Sequence, residues 1–208
     1  MRKTGGMVAE HIRNNRVWYL AALVVFCIGV TLGAGTVNTV TDTTRDDLGR
    51  YFNNFLINAK GQDIDFLAVL RVCAGGNLKY ILFSLMVSLT VFTLPLHAAL
   101  LGIKGFSVGF TVGFLIRAYA WRGVVYGLLA ALPAAVLSVP VCAMAAVMCV
   151  NYCLEARQNR ERYSVKEKRA ALWVLTATLG LLYALLCLSS LFDAFLSPVV
   201  IRFLFPAI

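Results

Sequence analysis

The stretch Lys104–Leu115, K-G-F-S-V-G-F-T-V-G-F-L, decides the fold of this chain. Its glycines fall four apart at Gly105, Gly109 and Gly113, and a phenylalanine follows each of them. Residues four apart share one face of an α-helix, so one face is nearly bare backbone beside a ridge of aromatic rings. Because glycine costs about 1 kcal/mol relative to alanine inside a helix in water, this repetition indicates close helix packing in lipid. The pattern alone leaves open whether that packing has a further role.

The composition indicates an integral membrane protein. The chain has 208 residues, of which 60% are hydrophobic and 14% charged, whereas soluble domains carry about 25% charged residues. The predicted fold class is therefore all-α, a polytopic bundle of membrane helices. The net charge of +9 fits Lys and Arg on the cytoplasmic side and contact with anionic lipid, and it does not require nucleic acid.

Apolar runs long enough to cross a bilayer at 1.5 Å per residue predict five spans. The predicted spans cover residues 17–37, 80–103, 105–121, 124–154 and 170–196, within one membrane domain over residues 1–208. The first run follows a basic segment, but it is longer than a signal-peptide core and lacks a good cleavage site. It is therefore expected to remain as the first span.

The polar segment 38–78 separates the first two predicted spans. Thr44, Asp46 and Asp47 form a helix-start signal, and apolar residues then recur at amphipathic spacing. A second short pattern begins at Asp63, so two short amphipathic helices are expected. They either lie flat at the interface or fold against the outer ends of the spans. The candidate outer-face contact residues are Arg50, Asn53, Asn54, Asp63, Arg117 and Asp193.

The distribution of Lys and Arg predicts the orientation in the membrane. Residues 155–169 carry six Lys or Arg against three Glu, so this loop is expected in the cytoplasm. With five spans, the N-terminus then also lies inside, while residues 38–78 and the C-terminus lie outside.

Three prolines interrupt the apolar runs. Pro95, Pro133 and Pro140 are expected to kink their helices, since an interior proline removes a backbone hydrogen bond. Such kinks serve either helix packing or a functional cavity, and the sequence leaves both open.

Two ionisable residues fall within predicted spans. His97 is expected near the inner end of the second span beside Lys104, where it serves interfacial hydrogen bonding or proton chemistry. Asp193, near the outer end of the fifth span, is either solvated, caps a neighbouring helix, or pairs with Arg117 or Arg122.

The sequence offers no pattern typical of a catalytic or metal site. Peptide or glycan cleavage requires paired carboxylates, a metal centre, or a nucleophile with a base. The segments expected outside contain only scattered Asp and no His. Cys149 and Cys153 are one helical turn apart, but no cluster of His or carboxylates accompanies them as a metal would require. The chain is therefore expected not to be an enzyme and to hold no cofactor or metal.

Three stretches of the chain match the pattern of a known family. They are G-F-S-V-G-F-T-V-G-F-L-I at 105–116, A-L-P-A-A-V-L-S-V-P at 131–140 and L-F-D-A-F-L-S-P at 191–198. Together with the N-terminal H-I-R-N-N-R-V-W-Y-L, they resemble the stage II sporulation protein M family over nearly the whole chain. One departure is Ala135, where that family commonly has a polar residue.

The resemblance implies a function that composition and spacing do not show. Members of this family lie in the membrane of the sporulating cell with stage II sporulation proteins D and P. Those two proteins cut peptidoglycan at the septum, so that the mother cell engulfs the forespore. The resemblance implies a non-catalytic scaffold that anchors both hydrolases. The expected partners are these proteins and membrane lipid, without nucleic acid, and the pattern is compatible with a homo-oligomer.

Two other classes of protein compete with the scaffold. A transporter subunit that works with a separate ATPase suits the pair Pro133 and Pro140, although the spans hold few polar residues that could face a path. An intramembrane enzyme would need an acid–base pair, and the sequence offers no convincing one.

Overall fold

The described part of the chain is built from α-helices. A computed structural model describes residues 10, 12–41, 43–44, 46–50, 66–90, 92–127, 129, 132–158 and 165–204, and these residues contain no strand. The helices with assigned bounds are α1 (Arg16–Thr36), α2 (Phe66–Ser88), α3 (Thr93–Tyr119), α4 (Trp121–Tyr126), α5 (Leu132–Gln158) and α6 (Val165–Leu204).

Five of these helices are long and apolar enough to cross a membrane. Their candidate spans are Arg16–Thr36, Val69–Ser88, Thr93–Tyr119, Pro133–Gln158 and Lys166–Leu196. The prediction of an all-α bundle with five membrane helices is confirmed. Residues 46–50 are helical, as expected for the first of the two short helices predicted within residues 38–78, whereas residues 51–65 lie outside the described chain. The prediction of a separate second short helix was wrong, because α2 runs unbroken from Phe66 to Ser88 and its candidate span already starts at Val69.

The boundary between the second and third spans differs from the prediction. The sequence suggested spans at 80–103 and 105–121, but α2 ends at Ser88 and α3 runs without interruption through Lys104. Lys104 does not end a helix because its amine is hydrogen-bonded to Asn77 inside the bundle. The break falls instead just before Thr93, whose hydroxyl donates to the backbone of the preceding turn.

Pro95 begins a helix and does not kink it. It lies in the first turn of α3, where a backbone N–H has no partner within the helix to lose, so the prediction of a kink at this position was wrong. Pro133 is the second residue of α5, and Gly127 and Leu129 shortly before it have π-helical backbone, so the kink predicted at Pro133 stays a prediction. Pro140 is the proline that lies inside its helix.

The turn between α3 and α4 depends on a close backbone approach. Ala120 has a positive φ of 48°, an uncommon conformation for a residue with a side chain. A Cβ atom added at Gly123 would meet the carbonyl oxygen of Leu115. The chain therefore folds back directly on the end of α3, and α4 and α5 together replace the single predicted span over 124–154.

The last helix is longer than its predicted span over 170–196. α6 has 40 residues, or about 60 Å at 1.5 Å per residue, which exceeds the apolar thickness of a bilayer. Its first turns and the last turn of α5 take up both ends of the predicted basic loop, 155–169. Residues 159–164 between them lie outside the described chain.

The spanning helices pack in two groups. α1 packs along α3 in the most extensive helix contact of the described chain, and we call these two the α1–α3 pair. α2, α5 and α6 surround a core that includes Cys142, Cys149, Leu179 and Leu186, and we call them the α2–α5–α6 group. Contacts between the two groups are less extensive.

Two hydrogen bonds mark the ends of the bundle. At one end, Arg117 Nη1 donates to Asn38 Oδ1 (2.6 Å), close to where α1 and α3 both finish. At the other, Asn151 Nδ2 donates to Asn15 Oδ1 (2.9 Å), where α1 begins and α5 nears its last turns. We call the end with the Arg117–Asn38 bond the Arg117 end. We call the opposite end the Arg157 end, because Arg157 lies in the last turn of α5 there.

Candidate functional site

The α1–α3 pair is joined by glycines from both helices. A Cβ atom added at Gly29, Gly33, Gly105 or Gly109 would meet a backbone carbonyl oxygen of the opposite helix. A Cβ atom added at Gly113 would lie 3.0 Å from Ala34 Cα and 3.3 Å from the Ala34 carbonyl oxygen. We call these five glycines the glycine seam. Since backbone touches backbone along it, no side chain fits there without separating the helices.

The register of the pair is constant. Phe26 faces Gly105, Val30 faces Gly109, Ala34 faces Gly113 and Asn38 bonds to Arg117, so each pair of positions lies 79 residues apart. An offset that stays constant along the chain requires two parallel helices. The phenylalanines beside the seam stack on each other, with Phe106 and Phe110 ring centroids 6.1 Å apart.

The glycines of α1 were missed by the sequence analysis. Gly29 and Gly33 are four apart in the run C-I-G-V-T-L-G, which is the same small-residue spacing that identified α3. The signal was present, but the apolar run around it was interpreted only as a first span.

A hydrogen-bonded cluster connects the two helix groups inside the bundle. Lys104 Nζ donates to Asn77 Oδ1 (2.8 Å), and Asn77 Nδ2 donates to Ser190 Oγ (2.9 Å) and to the Leu186 carbonyl oxygen (3.3 Å). Asn77 and Ser190 are buried. We call Lys104, Asn77 and Ser190 the polar bridge, because it links α3 to both α2 and α6.

The polar bridge lies well inside the membrane-spanning region. Lys104 is the twelfth residue of α3, which places its Cα about 16 Å from the first residue of that helix. The half-buried Asp193 lies close enough to interact electrostatically with Lys104.

A second polar site lies at the Arg117 end. Arg50 and Arg117 line one cavity of about 370 Å³ together with Asp46, Phe114 and Tyr119. Two of the residues predicted as outer-face contacts are thus brought together, and we call this cavity the arginine pocket. Asp193 is not among its lining residues. The other predicted contacts, Asn53, Asn54 and Asp63, lie outside the described residues.

His97 is buried near the start of α3. Only 2% of its surface is exposed, and its Nδ1 lies 2.9 Å from the Thr93 carbonyl oxygen. Its Nε2 atom is buried without a hydrogen-bond partner. Within the described residues, no group of three His, Cys, Asp or Glu is arranged to hold a metal ion.

These features define an integral membrane helix bundle held by a parallel glycine contact and an internal polar bridge. A protein-family model described as Stage II sporulation protein M matches residues 22–198. The chain belongs to the stage II sporulation protein M family, so it is a sporulation membrane protein. No curated protein and no solved structure matches it in the corresponding comparisons.

Proposed function

We propose that this protein is a non-catalytic membrane scaffold of the engulfment machinery. In this role it anchors the peptidoglycan hydrolases, stage II sporulation proteins D and P, at the septum and in the engulfing membrane. The observation that carries the proposal is the family match over residues 22–198. The three sequence stretches that resemble the family all fall within or at the end of that match.

The arginine pocket is the candidate docking site for these partners. It combines Arg50 from the segment after α1 with Arg117 from the last turn of α3, and Arg117 is fixed by its bond to Asn38. Guanidinium groups bind carboxylates with directional hydrogen bonds, so an acidic segment of a hydrolase is the chemistry that fits. A tether of this kind raises the local concentration of the enzymes without any new chemistry.

The proposal requires the Arg117 end to lie outside the cell. Cysteine introduced at Thr41, beside that end, should then react with a membrane-impermeant maleimide added to intact cells. Cysteine at Gln158, beyond the Arg157 end, should react only after permeabilisation. Both positions are exposed, and the parent protein with its native cysteines gives the background. The reverse labelling pattern would overturn the orientation.

Replacing residues 46–64 by a flexible linker of equal length should abolish recruitment of both hydrolases to the septum. The replacement ends before Phe66, so it leaves α2 and the other spans intact. Recruitment is measured with fluorescent fusions of the two hydrolases, and their activity on isolated cell wall should stay unchanged. Normal recruitment by the altered protein would mean that this segment only covers the end of the bundle.

A charge-reversal variant narrows the same test to the pocket. Arg50→Glu should reduce co-purification of the hydrolases from sporulating membranes, because an acidic partner is then repelled. Arg71→Glu is the matched control, since Arg71 is also exposed, lies near the start of α2, and does not line the arginine pocket. Equal losses from both variants would count against the pocket as the docking site.

A transporter subunit is the second candidate, and the polar bridge is the observation that favours it. Ionisable residues within membrane spans often mark a pathway for ions or substrates. The same affinity purification separates the two candidates, because a transporter subunit would retain an ATPase and a scaffold would retain the hydrolases.

A further inference from the structure

A groove runs between α5 and α6 at the Arg157 end of the bundle. Its volume is about 550 Å³, and its lining extends over 148–158 on α5 and 171–178 on α6. The two helices are antiparallel, since Ser189 Oγ, late in α6, donates to the carbonyl oxygen of Ala134, early in α5 (3.0 Å). The ten-residue advance along α5 makes the groove about 15 Å long.

The polarity of the lining changes along the groove. The inner part is formed by Met148, Val174 and Thr178, and the Thr178 hydroxyl already donates to the Val174 carbonyl oxygen (2.8 Å). The outer part, nearer the Arg157 end, carries amide, phenol and carboxylate groups on Asn151, Tyr152, Glu155 and Gln158. An occupant that fits both parts has an apolar chain and a polar head.

The groove lies where the chains and headgroups of one leaflet meet. Trp173, directly before Val174, is 74% exposed, and exposed tryptophan is typical of the membrane interface. The inner part of the groove is therefore at the level of acyl chains, and the outer part at the level of headgroups. Glu155 and Gln158 are exposed, so a headgroup reaches them without a movement of the helices.

The charge of the lining distinguishes among phospholipid headgroups. Among the described residues that line the groove, Glu155 is the one charged side chain. A carboxylate repels an anionic headgroup and accepts strong hydrogen bonds from a primary ammonium group. The quaternary ammonium of phosphatidylcholine has no N–H to donate. The neutral amide of Gln158 and phenol of Tyr152 are donors that suit a phosphate oxygen.

We propose that this groove binds one molecule of phosphatidylethanolamine. Its ammonium group donates to the Glu155 carboxylate, its phosphate accepts from Gln158 and Tyr152, and one acyl chain lies against Met148 and Val174. Exposed basic residues at this end of the bundle attract anionic lipid in general, so the groove selects a lipid of different charge from its surroundings. The site is independent of the proposed docking of hydrolases at the Arg117 end.

Native mass spectrometry of the full-length protein in detergent measures binding of the first lipid molecule. Phosphatidylethanolamine, phosphatidylcholine and phosphatidylglycerol, all with oleoyl chains, are titrated separately. Phosphatidylethanolamine should bind with a Kd about threefold to tenfold lower than that of phosphatidylcholine, the ratio that one net hydrogen bond supports. Phosphatidylglycerol should bind more weakly than phosphatidylethanolamine. Equal Kd values for the three lipids, or tightest binding of phosphatidylglycerol, would overturn the proposal.

Charge variants test whether Glu155 is the recognition group. Glu155→Gln keeps the size of the side chain and removes its charge, so the affinity for phosphatidylethanolamine should fall to that for phosphatidylcholine. Glu155→Lys should make phosphatidylglycerol the tighter ligand. Glu167→Gln is the matched control, because it changes the net charge equally at the same end and Glu167 does not line the groove. Loss of the preference in both glutamine variants would assign it to overall charge and contradict the proposed site.

A second pair of variants tests whether the acyl chain lies in the groove. Thr178→Leu fills the inner part and should weaken binding of all three lipids. Thr176→Leu is the matched control, because both threonine hydroxyls donate to the carbonyl oxygen four residues earlier and Thr176 does not line the groove. Unchanged lipid binding by Thr178→Leu, or an equal loss in both variants, would show that the chain binds elsewhere.

Discussion

Replacing Gly109 by leucine is expected to separate α1 from α3 and to prevent accumulation of the folded protein. A Cβ atom at this position would meet the carbonyl oxygen of Val30 and would lie 2.8 Å from its Cα. Backbone atoms cannot turn aside as a side chain does, so the whole helix must move. Overpacking of a tight contact typically costs about 1–3 kcal/mol, and a leucine against backbone belongs at or above the upper end of that range.

The matched control for this substitution is Gly180→Leu. Gly180 lies on α6, is exposed, and has no atom within 4 Å of an added Cβ. This variant should accumulate normally, since leucine has the higher helix propensity. The readouts are the amount of protein in the membrane fraction and its unfolding midpoint in detergent. Similar behaviour of Gly109→Leu and Gly180→Leu would show that the glycine seam does not hold the helices together.

The seam also predicts an order of severity for smaller changes. Gly113→Ala should destabilise the protein less than Gly109→Ala. The Cβ added at Gly113 would lie 3.0 Å from its nearest neighbour, Ala34 Cα, whereas the Cβ added at Gly109 would lie closer than that to the Val30 carbonyl oxygen. A neighbour at that distance needs to move by only a few tenths of an ångström. The graded loss would locate the tightest point of contact near the middle of the α1–α3 pair.

The glycine row was readable from sequence because its signal is local. Gly105, Gly109 and Gly113 repeat at the helical period within a single apolar run, and helix packing in lipid is the usual reason for such spacing. The same local rule applied to Gly29 and Gly33 would have identified the surface of α1 that packs against these glycines. What no local rule gives is the register, since the constant offset joins two helices separated by all of α2.

Lys104 was misplaced because its environment is set at long range. A lysine in an apolar sequence is normally read as the end of a span, because an unpaired ammonium is costly in lipid. Its partner Asn77 is 27 positions away on another helix, and Ser190 is further still. Once Lys104 is satisfied inside the bundle, Pro95 can start the long helix α3 and no longer needs to kink a span.

The polar bridge is expected to behave as one coupled unit. Asn77→Leu alone should destabilise the protein by about 1.5–3 kcal/mol, because the part-buried amine of Lys104 loses a charge-assisted hydrogen bond. Lys104→Met alone should lower the free energy of unfolding by about 1–3 kcal/mol, because the buried side-chain oxygen Oδ1 of Asn77 loses its hydrogen-bond donor. In the double variant both unpaired groups are gone, so the loss should be smaller than the sum by about 0.5–2 kcal/mol.

Unfolding by denaturing detergent in mixed micelles gives the free energies for this double-mutant cycle. Lys79→Met is the matched control, because Lys79 is exposed and only two positions from Asn77 on α2. Its removal should leave the unfolding free energy within about 0.5 kcal/mol of the parent. Strictly additive losses would show that Lys104 and Asn77 do not depend on each other. Recruitment of the hydrolases by the folded double variant gives a second result. If the double variant still recruits them, the polar bridge serves to join the two helix groups and not to carry ions. That result would favour the scaffold over the transporter.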